Sequence, residues 1–209
     1  MKVSGPVVLA SRNRGKLAEL RELVGGALTL VSFPATLAMP GVEETEETYL
    51  GNALLKARAV SAATGGWALA DDSGLEVDAL GGVPGVRSAR FGGEGLDDRG
   101  RCRVLLDALV AAGAEAGGRR ARFRCVLALV RGDECVAAEG VLEGEIALAP
   151  RGAHGFGYDP IFVPPGFGGR TFAELDAATK NRISHRARAV RGLLEKLAGR
   201  SIDSPEHEP

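Results

Sequence analysis

Cysteine, tryptophan and excess charge are what this 209-residue sequence has least of. Its 3 cysteines, Cys102, Cys125 and Cys135, have no metal-binding spacing, and an odd count does not make a disulfide framework. Cys125 lies in the apolar run FRCVLALV and reads as a small core residue, with no neighbouring pattern that would activate a thiol. Basic and acidic residues nearly cancel, 26 against 27, so there is no global field for wrapping a nucleic acid. One tryptophan and two tyrosines are also few for base stacking along a strand. No apolar run is long enough to span a membrane. The short apolar stretch in MKVSGPVVLAS stops at Arg12, too soon for a signal peptide. These absences lead us to expect a soluble cytoplasmic protein that binds neither nucleic acid nor membrane.

What is present is a 45% hydrophobic chain that alternates strand-like and helix-like segments. Val7 to Ala10 reads as a buried strand, followed by the polar loop Ser11-Arg12-Asn13-Arg14-Gly15. A helix starts near Lys16, with Leu17, Leu20 and Val24 on one face, and ends at Gly25-Gly26. Thr29 to Phe33 is a second strand. An acidic loop over Glu43 to Glu47 then leads to Thr48 as the cap of a helix that ends before Gly65-Gly66. Trp67 to Ala70 reads as a strand stopping at Asp71-Asp72-Ser73-Gly74, with Gly74 allowing a sharp turn. The glycine-rich stretch Leu80 to Gly95 is too broken for regular structure. A helix starts at Asp97 or Asp98. Arg122–Arg131 and Glu134–Ile146 form a hairpin around Gly132-Asp133. A long loop region over Ala149 to Arg170 follows, and Ser184 caps a last helix over Arg186 to Leu197. The alternation predicts one mixed α/β domain over residues 1–198 and an unstructured tail over 199–209.

Three loops carry residues suited to chemistry. Adjacent acids at Asp71 and Asp72 are costly to bury unpaired, and one or two carboxylates plus phosphates are what Mg²⁺ prefers; the other reading is a solvated acidic turn. SRNRGK, between a strand and a helix, suits an anion through free backbone N–H groups and Lys16, although it is no Walker A loop. It could equally be an ordinary loop with solvated basic residues. In KNRISHR, His185 and Arg186 fall in the first turn of a helix, where cations oppose the dipole unless an anion or acceptor is near. In GFGYDP, Phe156 and Tyr158 either place a ring against a planar ligand or fill the core.

The ordered set SxNxxK, EET…TYxxNAxxKA, ADDSGLEVDAL, PGVRSARFGG, GFGYDPIF and KxxISHR closely resembles the inosine/xanthosine triphosphate pyrophosphatases, over about Val7 to Leu197. The resemblance implies an α/β fold with an elongated mixed sheet, two lobes around a central nucleotide-binding cleft, and a homodimer. It implies Mg²⁺-dependent hydrolysis of ITP, dITP and XTP to the monophosphate and pyrophosphate. By motif position, Ser11, Arg12, Asn13, Arg14, Gly15 and Lys16 would hold the triphosphate. Glu43 and Asp72 would serve the metal, with Glu44 an alternative to Glu43, and Asp72 would also accept the proton. Ser73, Phe156, Gly157, Tyr158, Asp159, Lys180, His185 and Arg186 match substrate-binding positions. The chain departs from the family in having Gly51 where a glutamate is common and Tyr49 where phenylalanine is frequent. Nucleotide sensing without hydrolysis, or hydrolysis of other modified nucleotides such as methylated pyrimidines, would use the same binding motifs. Exclusion of the guanine 2-amino group has no residue-level account at this stage.

Overall fold

In the computed structural model, which describes residues 3–114 and 118–199, six strands form one sheet in the order β2-β1-β3-β4-β5-β6. The strands are β1 (Val7–Leu9), β2 (Leu30–Ser32), β3 (Trp67–Val77), β4 (Arg120–Arg131), β5 (Glu134–Ile146) and β6 (Phe162–Val163). β1 runs parallel to both β2 and β3, and every later pairing is antiparallel. The helices are α1 (Arg14–Val24), α2 (Tyr49–Thr64), α3 (Asp98–Ala111), α4 (Ala177–Ile183) and α5 (His185–Leu197). All but the first residue of the expected tail, 199–209, lies outside the described residues. Among the described residues no helix is long and apolar enough to cross a membrane.

Helix starts follow the sequence closely because each carries its own cap. Asn13, Thr48, Asp97 and Ser184 accept from the backbone N–H three residues on, at Lys16, Gly51, Gly100 and Ala187. Asp176 does the same for α4. The hairpin of β4 and β5 turns at Gly132, whose φ of 56° needs glycine.

Two expectations are corrected. The strand that begins at Trp67 does not stop at Asp71; it runs unbroken to Val77, pairing with β4 from Ala68↔Val130 to Val77↔Ala121. What stops there is its other neighbour, since β1 ends with Leu9 opposite Leu69. Beyond that point one edge of β3 opens, so Asp71 still borders a crevice although it sits mid-strand. Leu80 to Gly95, expected to lack regular structure, holds the end of one 3₁₀ turn (Asp78–Leu80) and all of another (Gly85–Arg90).

Side chains alternate across a strand, and β3 sorts its residues accordingly. Trp67 and Leu69 pack with Leu20 and Val24 of α1 and with Val190 and Leu193 of α5. Further along the same face, Leu75 and Val77 pack with Leu105 and Leu109 of α3 and with Phe162 and Phe172. Asp71 and Ser73 fall between these two cores. On the opposite face Ala68 and Ala70 pack with Ala53, Ala57 and Val60 of α2. With β1 flanked by β2 and β3, and α1 and α2 on opposite faces, the loop after β1 opens at the topological switch point where such sheets bind ligands.

Gly74 does not turn the chain. A Cβ there would lie 2.2 Å from Gly85 O, 2.6 Å from Ser88 Oγ and 2.9 Å from Tyr49 Oη, so glycine lets the 85–90 turn press against the strand. Gly74→Ala therefore forces backbone apart and is expected to lower stability by about 2 kcal/mol or more, measured as a shift in the urea midpoint; an unchanged midpoint would mean the turn yields freely.

Candidate active site

The seam between the two cores is lined by charge. Asp71 Oδ1 pairs with Lys16 Nζ at 2.6 Å and Oδ2 with Arg186 Nε at 2.7 Å. Ser73 Oγ donates to Asp71 Oδ1 at 2.8 Å, and the Cys125 thiol reaches Oδ2 at 3.3 Å. Glu19 of α1 joins the other two cations, accepting from Lys180 Nζ at 2.7 Å and from Arg186. Lys180 also contacts Asp159 Oδ2 at 2.5 Å, and that same oxygen accepts from Phe156 N–H at 2.8 Å. Three cations thus meet three carboxylates drawn from α1, β3, the 155–160 loop, α4 and α5. The mismatch expected for Arg186 at a helix N-terminus is resolved by carboxylates from other elements.

Titration follows the burial of each group. Burial would push the Asp71 carboxyl up, but Arg186 and Lys16 outweigh it and hold it well below the usual range. Asp159 is pushed up by burial, which Lys180 only partly offsets. Burial, then Arg186 and Lys180, hold His185 far below the ordinary imidazole value, so it is neutral. Its ring stacks on Phe123 with centroids 4.6 Å apart, and its buried Nδ1 has no hydrogen-bond partner among the described residues.

Asp72 faces the other way, towards α2. Lys56 Nζ bonds Asp72 Oδ1 at 2.6 Å, Glu44 Oε1 at 2.9 Å and the Asp71 carbonyl at 2.9 Å. Among the described residues Asp72 Oδ2, which is buried, has no hydrogen-bond partner. Burial raises the Asp72 carboxyl above its ordinary value, Lys56 and Lys16 oppose this, and Glu44 adds to it. Among the described residues no three histidine, cysteine or acidic side chains converge as a closed metal cage. Two carboxylates with an unpartnered oxygen instead fit an ion that takes further ligands from phosphates.

Two cavities flank this network. One, of about 140 Å³, is lined by Asn13, Lys16, Phe156, Lys180, His185 and Arg186 among others. The other, of about 510 Å³, is lined by Ser11, Arg12, Asn13, Lys16, Glu43, Glu44, Lys56 and Asp71. Asn13 and Lys16 belong to both, so a ligand with a ring at one end and an anionic chain at the other can lie across them.

The motif residues do not all play alike. Phe156 is half-buried against Lys180 and Arg186, and its ring lies where a Cβ on Gly15 would be, 2.5 Å away. Tyr158 is buried in the core, its hydroxyl donating to Ser88 O at 2.9 Å, while it also borders the smaller cavity. Gly157 and Ser73 line that cavity too. Arg12 is exposed and reaches Met39 O; Arg14 is exposed and borders neither cavity. Glu43 is exposed at the larger cavity, whereas Glu44 is half-buried and paired. Sequence reasoning missed Lys56 and Glu19. Lys56 was visible as the lysine of NAxxKA; Glu19 had only its position three residues past the SRNRGK loop.

The model of the Ham1 family matches residues 7–196. A dITP/XTP pyrophosphatase of Rhodospirillum centenum is 49% identical over 191 residues, which is 91% of this chain and 93% of that protein. One of Thioalkalivibrio sulfidiphilus is 47% identical over 197 residues, 93% and 99% respectively. The solved structure of a HAM1 protein from Coxiella burnetii superposes with a TM-score of 0.83 at 44% identity, covering 94% of this chain and all of that one.

His185 also sets a pH dependence. Its folded value lies below its unfolded value, so the unfolded chain takes up the proton first. Stability is full above pH ~6.5 and falls on acidification by up to about 1.4 kcal/mol per pH unit. Asp71, depressed in the same sense, adds a second loss below pH ~4. Urea titrations should show the first loss between pH 6.5 and 5 flattened in His185→Gln; an identical slope in the variant would assign it elsewhere.

Proposed function

The chain belongs to the Ham1 family, and on that footing we propose that it hydrolyses non-standard purine nucleoside triphosphates, dITP, ITP and XTP, to the monophosphate and pyrophosphate. The observation that carries this reading is the buried, unpartnered Asp72 Oδ2, whose neighbours Glu44 and Lys56 line the larger of two cavities that share Asn13 and Lys16 and suit a phosphate chain and a base. We take the protein to act as a homodimer in the cytoplasm, with Mg²⁺ as its ion.

In this reading the purine enters the smaller cavity against Phe156, and the triphosphate runs past Asn13 and Lys16 into the larger one. The N–H groups at the start of α1 and the ammonium of Lys16 neutralise phosphate charge. Asp72 would hold Mg²⁺ together with Glu44, whose carboxylate already shares Lys56 with it; Glu43, exposed at the same cavity, is the alternative. When bound, the ion supplies charge neutralisation on the phosphate oxygens. Asp72, held by Lys56 at one oxygen and with the other unpartnered, is placed to take a proton from the water that attacks the α-phosphorus. Lys56 fixes the orientation of that carboxylate. Neutral His185, with an unpartnered ring nitrogen, and Arg186 present polar edges to a 6-oxo group, which an adenine 6-amino group would meet less well.

Pyrophosphate release from XTP and ITP tests the reading. Asp72→Asn should lose at least ~10²-fold in kcat with an unchanged thermal transition, and a near-native rate would remove Asp72 from the chemistry. Phe156→Ala should raise KM for ITP about tenfold, the loss of one stacked base. Tyr158→Phe should leave KM alone and lower stability by about 1 kcal/mol, since its hydroxyl serves Ser88.

A further inference from the structure

Four cations border the smaller cavity, and one of them is poorly matched. Lys16, Lys180 and Arg186 each have a carboxylate oxygen within 2.7 Å. Arg101, on α3, has Asp98 Oδ1 at 3.5 Å. Asp98 is itself engaged, because its other oxygen accepts from Gly157 N–H at 2.7 Å. The guanidinium therefore keeps most of its five donors free, although the side chain is only 20% exposed.

Arg101 is also held in register with the ring that stacks. Cys102 Sγ lies 3.4 Å from Gly157 O, so the first turns of α3 grip both peptide groups of the residue next to Phe156. Asp98 and Arg101 border the smaller cavity and not the larger, which puts them at the base end of the ligand. With the α4–α5 wall at the 6-oxo group and the α1 wall leading to the phosphates, the α3 wall is left for position 2 of the purine.

We propose that Arg101 reads purine position 2, favouring the 2-oxo group of xanthine and rejecting the 2-amino group of guanine. The inference rests on the cavity assignment made above. An arginine there donates to a 2-oxo acceptor and is drawn to xanthine, the most acidic of the three bases. Against guanine it sets donor against donor. It also caps Asp98, a carboxylate that would otherwise accept from the guanine amino group. The hydrogen at position 2 of hypoxanthine offers nothing to gain or lose, so ITP ranks between.

Calorimetric binding of XTP, ITP and GTP in EDTA, where metal-dependent turnover is stopped, tests this alongside kcat/KM ratios. In Arg101→Gln the XTP:ITP ratio should fall roughly tenfold, the worth of one hydrogen bond to a charged donor. ITP itself should stay within about twofold, and GTP should gain relative to ITP. Arg101→Lys, which keeps the charge and loses the fork, should retain part of the XTP preference. Unchanged ratios in both variants, or an equal loss for all three nucleotides, would overturn the inference and leave the cavity assignment standing. Failure of all three nucleotides to bind the unmodified protein would overturn the cavity assignment and the inference together.

Discussion

The carboxylate of Asp71, buried between Lys16 and Arg186, is the interaction on which the site's geometry depends. It falls between the two cores on that face of the sheet, where its ion pairs add to the apolar packing that joins α1, β3 and α5. Such a cluster is weak evidence of net stability, because desolvation consumes most of the attraction, yet removing one member leaves buried charge unpaired at about 3–5 kcal/mol. Its value is positional. Lys16 and Arg186 are long, flexible side chains, and a shared partner with both oxygens engaged fixes their heads at the mouth of the cavity. Glu19 repeats the device for Lys180 and Arg186, so Lys16, Lys180 and Arg186 are each tied to at least one carboxylate from a different element.

The two-residue alternation of β3 divides labour between its adjacent acids. Asp71 turns to the α1–α5 face and spends its charge on holding cations. Asp72 turns to the α2 face, meets Lys56, and keeps one oxygen unpaired. Neighbouring identical residues thus acquire opposite titration behaviour, one held well below the ordinary carboxylate range and the other raised above it. The pleat of a strand is enough to give two adjacent carboxylates opposite environments.

Much of this was legible in the sequence, for identifiable reasons. Three helix starts were readable because Thr48, Asp97 and Ser184 are local capping signals, whereas α4, capped by Asp176, was not read. The β4–β5 hairpin was readable from Gly132-Asp133. The continuation of β3 through DDSG was not, because acids and a glycine look like a turn until β4 supplies a partner along their whole length. Glu19 and Lys56 were hidden for a related reason. On a helix, a charged residue aimed at a buried partner has the same spacing as one aimed at water, and only the sheet's arrangement separates them. Tyr158 and Phe156 show the same limit within one loop: two aromatics two residues apart line the same cavity, but only Tyr158 is also part of the core.

Asn13 and Lys16 border both cavities, and Asn13 at the same time caps α1 through the Lys16 N–H. In the proposed binding mode a single helical turn would touch the ligand at its middle, like a fulcrum between its two ends. A nucleotide whose ring sat badly at one end would then tilt about that point and carry its scissile bond off line at the other. Discrimination built this way would be felt in how fast a wrong nucleotide reacts as well as in how tightly it is held.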